Sequence, residues 1–361
     1  MKHLLLIIFI TGVFSANYSE IRVNDTSTEV IHRLQDIGVD LDHVKHKKGE
    51  FIQFAIPSSL ADVLFEDGIT FDIIHSDLEE YYASRLYNIS SRDFDYGSMG
   101  GYYTHDEIID HLVELSEEYP QIVSNLEYLG DSYEGRGIYA IKLSDNPNID
   151  EDEPEVLYTG LHHAREPMSY MNLFYYMYWL VENYNIDDEA TSLLNNREMW
   201  FIPMVNPDGL VYNQEISPNG GGMQRKNHRN TCSNNDDQYD WDGIDLNRNY
   251  AYQWGFDDEG SSPDPCSQTY RGTNPFSEPE TQIIRNFIEN HNFLITLNYH
   301  SYGNLLIHPL GYIPGLLPPE PDLSIFREFG DEMTEFNNYV MGTGIETVGY
   351  TVNGEACDWM Y

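Results

Sequence analysis

The chain has 361 residues, with 60 acidic against 19 basic side chains, a formal charge of −41 and 41% hydrophobic residues. That balance excludes a general affinity for nucleic acid or anionic membrane, both of which demand a basic surface. The length exceeds one ordinary domain, the acids are spread along the chain as on a solvated surface, and there is no internal repeat, P-loop or dinucleotide fingerprint.

From the N-terminus, Lys2 precedes an apolar run over residues 4–14, and the small residues Ser15 and Ala16 follow. The pattern predicts a secretory signal over residues 1–16. The run is too short to span a bilayer comfortably, so the expected product is extracellular, with no membrane attachment. Residues 17–90 then contain "STEVIHRLQDIGVDLDHV" at helical spacing, "GEFIQFAIP" in strand-like alternation, a second helix in "SSLADVLFEDGI" and a second strand in "TFDIIH". A small α+β domain is predicted there. Its basic cluster "HVKHKKGE" reads as a solvated turn or a processing site. Residues 91–101, within "YNISSRDFDYGSMGG", are polar and glycine-bearing and read as a linker.

A larger domain is predicted over residues 102–361. It opens with a capping-box pattern, Thr104 followed by Glu107, and a helix that ends before Pro120. Extended and helical stretches then alternate: "EVLYTGL", "PMSYMNLFYYMYWLVENY", "EMWFIPMVN", "PETQIIRNFIENH", "FLITLNYHS" and "DLSIFREFGDEMTEFNN". Continuous apolar strands between amphipathic helices predict an α/β fold with a mixed, mostly parallel sheet flanked by helices. Ligands in such sheets sit beyond the strand ends, where His162, His163 and His300 fall. Cys232 and Cys266 lie in Asn/Asp/Ser/Pro-rich loop sequence and are expected to pair in an oxidising compartment, leaving Cys357 free.

A catalytic zinc site needs three His, Cys, Asp or Glu ligands and an open position. In "YTGLHHAREPMSY", His163 and Glu166 supply an imidazole and a carboxylate from one turn of backbone, with Pro167 placed to start the next helix. Taken alone, that spacing also describes a surface ion pair. His300, at the end of "FLITLNY", is a candidate third ligand, although a single strand-end histidine is also a common structural residue.

With "HHARE", "NPDG" at Asn206 to Gly209, "QRKNHRN", "GIDLNRNY", "YHSYG" and "GYTVNGEACDWMY" in this order, the chain resembles the carboxypeptidase A/B-like zinc metallocarboxypeptidases. The resemblance implies that His163, Glu166 and His300 bind one catalytic Zn2+ and that the His162 side chain points elsewhere. It implies that Asn247 and Arg248 grip the substrate's terminal carboxylate, a task suited to the planar guanidinium fork. Tyr350 closes over the bound residue, Arg165 and Arg225 contact the peptide, and Asp245 orients the first zinc histidine. The family's oxyanion arginine falls on His228 by strict spacing, and Arg229 supplies the guanidinium if the loop bulges by one residue; Arg229 is preferred.

The family's general-base glutamate, one strand beyond "DWMY", has no counterpart here, and the sequence is expected to be a C-terminally incomplete form with impaired activity. The activity implied is removal of C-terminal residues from peptides and proteins by a secreted monomer. The alternative is a zinc-containing module that binds peptide C-termini without hydrolysis. The small domain resembles the activation segment of secreted carboxypeptidases. Cys357, in the position that largely sets the family's side-chain pocket, is uncharged, and Ile345 and Val352 are apolar. An apolar or aromatic terminal residue is therefore expected, unless Glu355 turns into the pocket, which would favour a basic one.

Overall fold

The computed structural model describes the chain except for residues 1–17, 40, 42–43, 48, 79, 82–94 and 233–241. The expected signal segment, the first four residues of the linker and part of the basic cluster lie outside the described residues. In the N-terminal module, β1 (Tyr18–Val23), α1 (Thr28–Asp36), β2 (Lys45–Lys47), β3 (Phe51–Pro57), α2 (Leu60–Glu66) and β4 (Phe71–His75) follow in order. Its four strands form an antiparallel sheet in the order β2-β3-β1-β4. Alternation places Ile52, Phe54 and Ile56 of β3 in the core with Ile31 and Leu34 of α1. That core continues beyond the module, taking in Val348, Tyr350 and Val352.

The larger domain opens with α3 (His105–Glu118), whose Thr104 hydroxyl accepts from Glu107 N while the Glu107 carboxylate accepts from Thr104 N, completing the expected capping box. There follow β5 (Glu127–Asp131), β6 (Gly137–Leu143), β7 (Glu155–Gly160), α4 (Met168–Asn183), α5 (Asp188–Leu194), β8 (Glu198–Ile202) and α6 (Pro207–Ile216). The rest comprises α7 (Pro279–Glu289), β9 (Phe293–Tyr299), β10 (Leu305–Ile307), α8 (Asp322–Thr334), β11 (Val340–Gly342), α9 (Gly344–Thr347) and α10 (Ala356–Met360). The central sheet, β5-β6-β8-β7-β9, is mixed: β8, β7 and β9 run parallel, β6 opposes β8, and β5 opposes β6.

Both faces of this sheet are covered. Val156, Tyr158, Met199 and Phe201 face one core with Leu112, Phe174 and Met177 of the helices. Their neighbours Leu157, Trp200 and Ile202 face a second core with Ile284 and Phe287. The period of two along each strand divides the residues between the cores, and β7, buried at every position, carries the consecutive apolar residues Val156, Leu157 and Tyr158. One consequence of register positions the site: Gly160 of β7 is paired with Tyr299 of β9, so the segments leaving these two parallel strands emerge side by side.

Candidate metal centre and substrate cavity

The chain turns sharply as it leaves β7. Leu161 adopts φ 60° while fully buried, a left-handed conformation costing a leucine roughly 1–2 kcal/mol, and its N–H donates to Ser169 Oγ at 3.0 Å. Ser169 Oγ in turn donates to Glu166 O at 2.6 Å, and Glu166 N donates to His163 O at 3.1 Å. This closed turn, with Pro167 at φ −62° immediately before α4, aims His163 and Glu166 toward the end of β9. There His300 meets them.

His163 Nδ1 lies 2.6 Å from Glu166 Oε1, His300 Nδ1 lies 2.9 Å from Glu166 Oε2, and the two Nδ1 atoms are 3.2 Å apart. Ser301 N donates to Glu166 Oε2 at 3.0 Å. The one ligand atom offered by each residue lies within 4.8 Å of the others, and His163 and Glu166 are each 1% exposed. Behind them, His163 Nε2 donates to Asp245 Oδ1 at 3.1 Å, which selects the tautomer whose Nδ1 lone pair faces the cluster. Two imidazole nitrogens and a carboxylate are the donor set of a zinc site, and ligands held at about 2.1 Å in tetrahedral array stand roughly 3.4 Å apart. The separation of the two nitrogens fits that spacing.

Asp245 is the node of the wall behind the cluster. Besides His163, its carboxylate accepts from Arg225 Nε at 3.0 Å, Arg225 Nη2 at 2.8 Å and Asn247 N at 2.9 Å. Burial opposes its ionisation, but Arg225, His163 and Arg248 hold the carboxyl well below the usual range. Arg225 is itself fully buried, with Nη1 3.3 Å from His163 Nδ1. In this conformation the guanidinium of Arg225, expected to contact the peptide, is the counter-ion of a buried carboxylate. His162 points away, with Nε2 2.8 Å from the Tyr250 hydroxyl, and burial, then His300 and His163, push its pKa well down.

A cavity of about 360 Å³ opens beside the cluster, lined among others by His163, His300, Asn247, Arg248, Tyr350 and Cys357. Asn247 and Arg248 sit on the single 3-10 turn Leu246–Arg248, capped by the Asp245 side chain. Asn247 is pinned by its Oδ1, which accepts from Ala356 N at 2.9 Å. The structure thus brings His163 and His300 of the cluster, Asn247 and Arg248, which were expected to grip a carboxylate, Tyr350 and Cys357 to one cavity. Val352 lines it as well, while Ile345 does not; Gly344 and Val348 stand there instead.

The loop arginines are placed elsewhere. Arg229 donates to Glu278 Oε2 at 2.7 Å and stacks over Tyr133 at 4.0 Å. His228 lies 2.7 Å from Glu134 Oε1 and stacks on Tyr212. Neither lines the cavity, nor does the half-buried Arg165, so these three expected contacts are not assembled in this conformation. Cys232 and Cys266 form the expected disulfide across 34 residues, and Cys357 is free.

The N-terminal module was expected to resemble an activation segment, but sequence reasoning did not name the residues it would pack against. Tyr350 and Val352, on the cavity wall, are buried in its core, and Tyr302 donates to Glu20 Oε1 at 3.4 Å. The apolar alternation of "GYTV" was the available signal.

A zinc carboxypeptidase family model matches residues 108–361. The chain is 31% identical over 293 residues to bovine carboxypeptidase A1, covering 80% of this chain and 65% of the length of that relative. Over 361 aligned residues it is 27% identical to metallocarboxypeptidase A of Trichophyton tonsurans, covering 95% and 82% of the two chains. Among solved structures, carboxypeptidase A from Helicoverpa armigera superimposes with a TM-score of 0.77 at 24% identity, over 96% of this chain and 85% of that one. Thrombin activatable fibrinolysis inhibitor superimposes at 0.75 and 24%, over 96% and 88%. At these identities the two structures speak for the fold alone.

Proposed function

This chain belongs to the zinc carboxypeptidase family, and from that premise we propose that it is a secreted, zinc-dependent exopeptidase acting on the free C-terminus of peptides and proteins. The observation that carries the reading is the convergence of His163, Glu166 and His300 on the cavity that also presents Asn247, Arg248 and Tyr350. Zinc bound there would polarise a carbonyl and lower the pKa of water at its open position toward ~7.

The chain's own residues do the rest. Asp245 and Arg225 keep the His163 ring in the orientation and tautomer that present Nδ1. Arg248 offers a guanidinium fork to the terminal carboxylate, Asn247 lies beside it, and Tyr350 covers the bound residue. A cavity that grips a carboxylate at one end selects chain ends over internal bonds. Arg229 would have to leave Glu278 to stabilise an oxyanion.

Among the described residues, the carboxylates at the ligand cluster and along the cavity lining are Glu166 and Glu355, with Asp245 behind. Glu166 and Asp245 are committed to the histidines, so no general base is assigned among the described residues. The N-terminal module, which shares a core with Val348, Tyr350 and Val352, would restrain that wall until it is removed. Secretion is supported by the apolar run over residues 4–14 and by the disulfide; no helix among the described residues is long and apolar enough to cross a membrane.

The test incubates zinc-loaded chain with one peptide in free-acid and amidated forms, following binding by calorimetry and residue loss by mass spectrometry. Binding of the free acid alone is expected, with any cleavage confined to the last residue. Equal binding of both forms, or internal cleavage, would overturn the reading.

A further inference from the structure

A second convergence of carboxylates lies at the opposite end of β7 from His163. Leu143 ends β6, Glu155 opens β7, and the loop between them carries Asp145, Glu151 and Glu153. Each offers one carboxylate oxygen, and the three oxygens lie within 4.8 Å of one another. Oxygens bound to one Ca2+ at about 2.4 Å stand at most about 4.8 Å apart, so the three fit a single calcium coordination sphere. The donor set is oxygen alone, without the imidazoles of the first cluster, and that is the set which hard cations take.

A shielded carboxylate oxygen needs a hydrogen-bond donor or a cation, and two oxygens here have no donor. Glu151 Oε2 and Glu153 Oε2 are shielded from solvent and accept no hydrogen bond. The amide of Asn146 reaches only Asp145 Oδ1 at 3.3 Å and Glu151 Oε1 at 3.2 Å. Neighbouring cations are engaged elsewhere: Lys142 Nζ donates to Glu198 Oε1 at 2.8 Å and to Ile149 O at 2.6 Å, and Arg197 Nη1 donates to Asn196 O at 2.5 Å. Glu198, which opens β8, adds a fourth carboxylate from outside the loop. It is 1% exposed, and both its hydrogen bonds, from Lys142 Nζ and from Glu151 N at 2.9 Å, fall on Oε1, leaving Oε2 uncommitted at the border of the cluster. Burial, then Glu151, Asp145 and Glu198, raise the Glu153 pKa, as negative charges do where no positive one answers them.

We propose that Asp145, Glu151 and Glu153 form a calcium site, with Glu198 behind them, that ties the β6–β7 loop to the start of β8. The assignment is independent of the exopeptidase reading and stands if that reading falls. A bound cation neutralises charges that the loop itself leaves unanswered, and it clamps the loop against the buried Lys142–Glu198 pair. Affinity of roughly 10⁻⁴–10⁻³ M, that of extracellular calcium modules, is expected.

The experiment titrates CaCl2 and MgCl2 by calorimetry into the full, zinc-loaded chain in about 150 mM NaCl, which screens the diffuse attraction of a −41 chain for any cation. One saturable calcium site is expected, with magnesium at least about tenfold weaker, since Mg2+ sheds its water reluctantly. About 10 mM calcium should raise the unfolding midpoint by roughly 3–6 °C. Glu151→Gln combined with Glu153→Gln should weaken calcium binding at least about tenfold and abolish that shift, with zinc content unchanged. Without calcium, the same double variant should unfold no earlier than the unaltered chain, because it removes repulsion; a purely structural role for the two carboxylates predicts the reverse. Asp145→Asn, as a second variant, should weaken calcium binding independently, and circular dichroism checks the fold of both. Many-sited binding that the substitutions leave unchanged overturns the assignment, as does an unaltered chain whose midpoint ignores calcium or that binds magnesium equally well.

Discussion

The two walls of the cavity are held by different forces. On the metal side, Asp245, Arg225 and His163 form a polar network with essentially no solvent exposure, in which each charge is answered by another. Opposite it, Val348, Tyr350 and Val352 belong to one apolar core with Ile31, Leu34 and Phe54 of the N-terminal module. A buried ionic network is directional and fails when one partner goes. Apolar packing is non-directional, and it lasts only while the covering module remains folded. The metal wall is therefore preorganised by its own domain, whereas the substrate wall depends on a neighbour.

Removing a ligand breaks the metal wall most completely. His300→Ala and His163→Ala should each abolish stoichiometric zinc in folded protein, measured by elemental analysis, whereas His162→Ala should retain it, because His162 turns to Tyr250. Full zinc in His300→Ala would remove the ligand assignment.

Next in size is the node. Asp245→Ala strands the buried Arg225 guanidinium and should cost about 3–5 kcal/mol of stability by denaturant unfolding. It should also weaken zinc binding by roughly 10–100-fold in a chelator competition. Unchanged zinc affinity would mean that His163 needs no partner to present its Nδ1.

The opposite wall should respond to a purely apolar change. Leu34→Ala, at a fully buried position, should destabilise the N-terminal module by roughly 2–5 kcal/mol and speed proteolysis around residues 348–352, with zinc content intact. A simultaneous loss of zinc would show that the two walls are one cooperative unit and end the contrast.

Smallest is a substitution that sharpens the difference between answered and unanswered charge. Glu280 is fully buried like Asp245, but its Oε1 accepts from Tyr133 N at 3.0 Å and its Oε2 has no hydrogen-bond partner among the described residues. Burial pushes its pKa up to about 7. A raised folded value means that its contribution is fully present below the usual glutamate pKa, about 4.3, and is lost as pH rises through about 7. Glu280→Gln should therefore be near neutral at pH 4 and stabilising by on the order of 2 kcal/mol at pH 8, read from unfolding curves at the two pH values. Equal effects at both would show that Glu280 is ionised in the folded state.

How much of this was legible depends on the range over which each interaction is decided. His163 and Glu166 are three residues apart, and a local turn brings them together, so their spacing could be read directly. The capping box of α3, the continuous burial of β7 and the pairing of Cys232 with Cys266 were likewise expected from local pattern. Apart from the family resemblance, His300 was visible only as a strand-end histidine. What places it 2.9 Å from Glu166 is the parallel register of β7 and β9, set by side-chain packing on both sheet faces.

Arginine partners lie at the other extreme, because a long side chain reaches past several neighbours and sequence spacing says little about which acid it will meet. Asp245 is buried and demands a cation, so Arg225 turned inward and not toward a peptide. Glu278, 1% exposed, engaged Arg229 in the same way. Helical phase likewise placed Val348 and not Ile345 on the cavity wall. By itself, then, the sequence determined the fold class, which follows from periodicity, whereas the ligand set and the pair expected to grip a carboxylate came from the resemblance to the family. Only the tertiary structure decided which charges answer one another, as Arg225 does Asp245 and Arg229 does Glu278, because those outcomes depend on which buried groups the packing brings within hydrogen-bond distance.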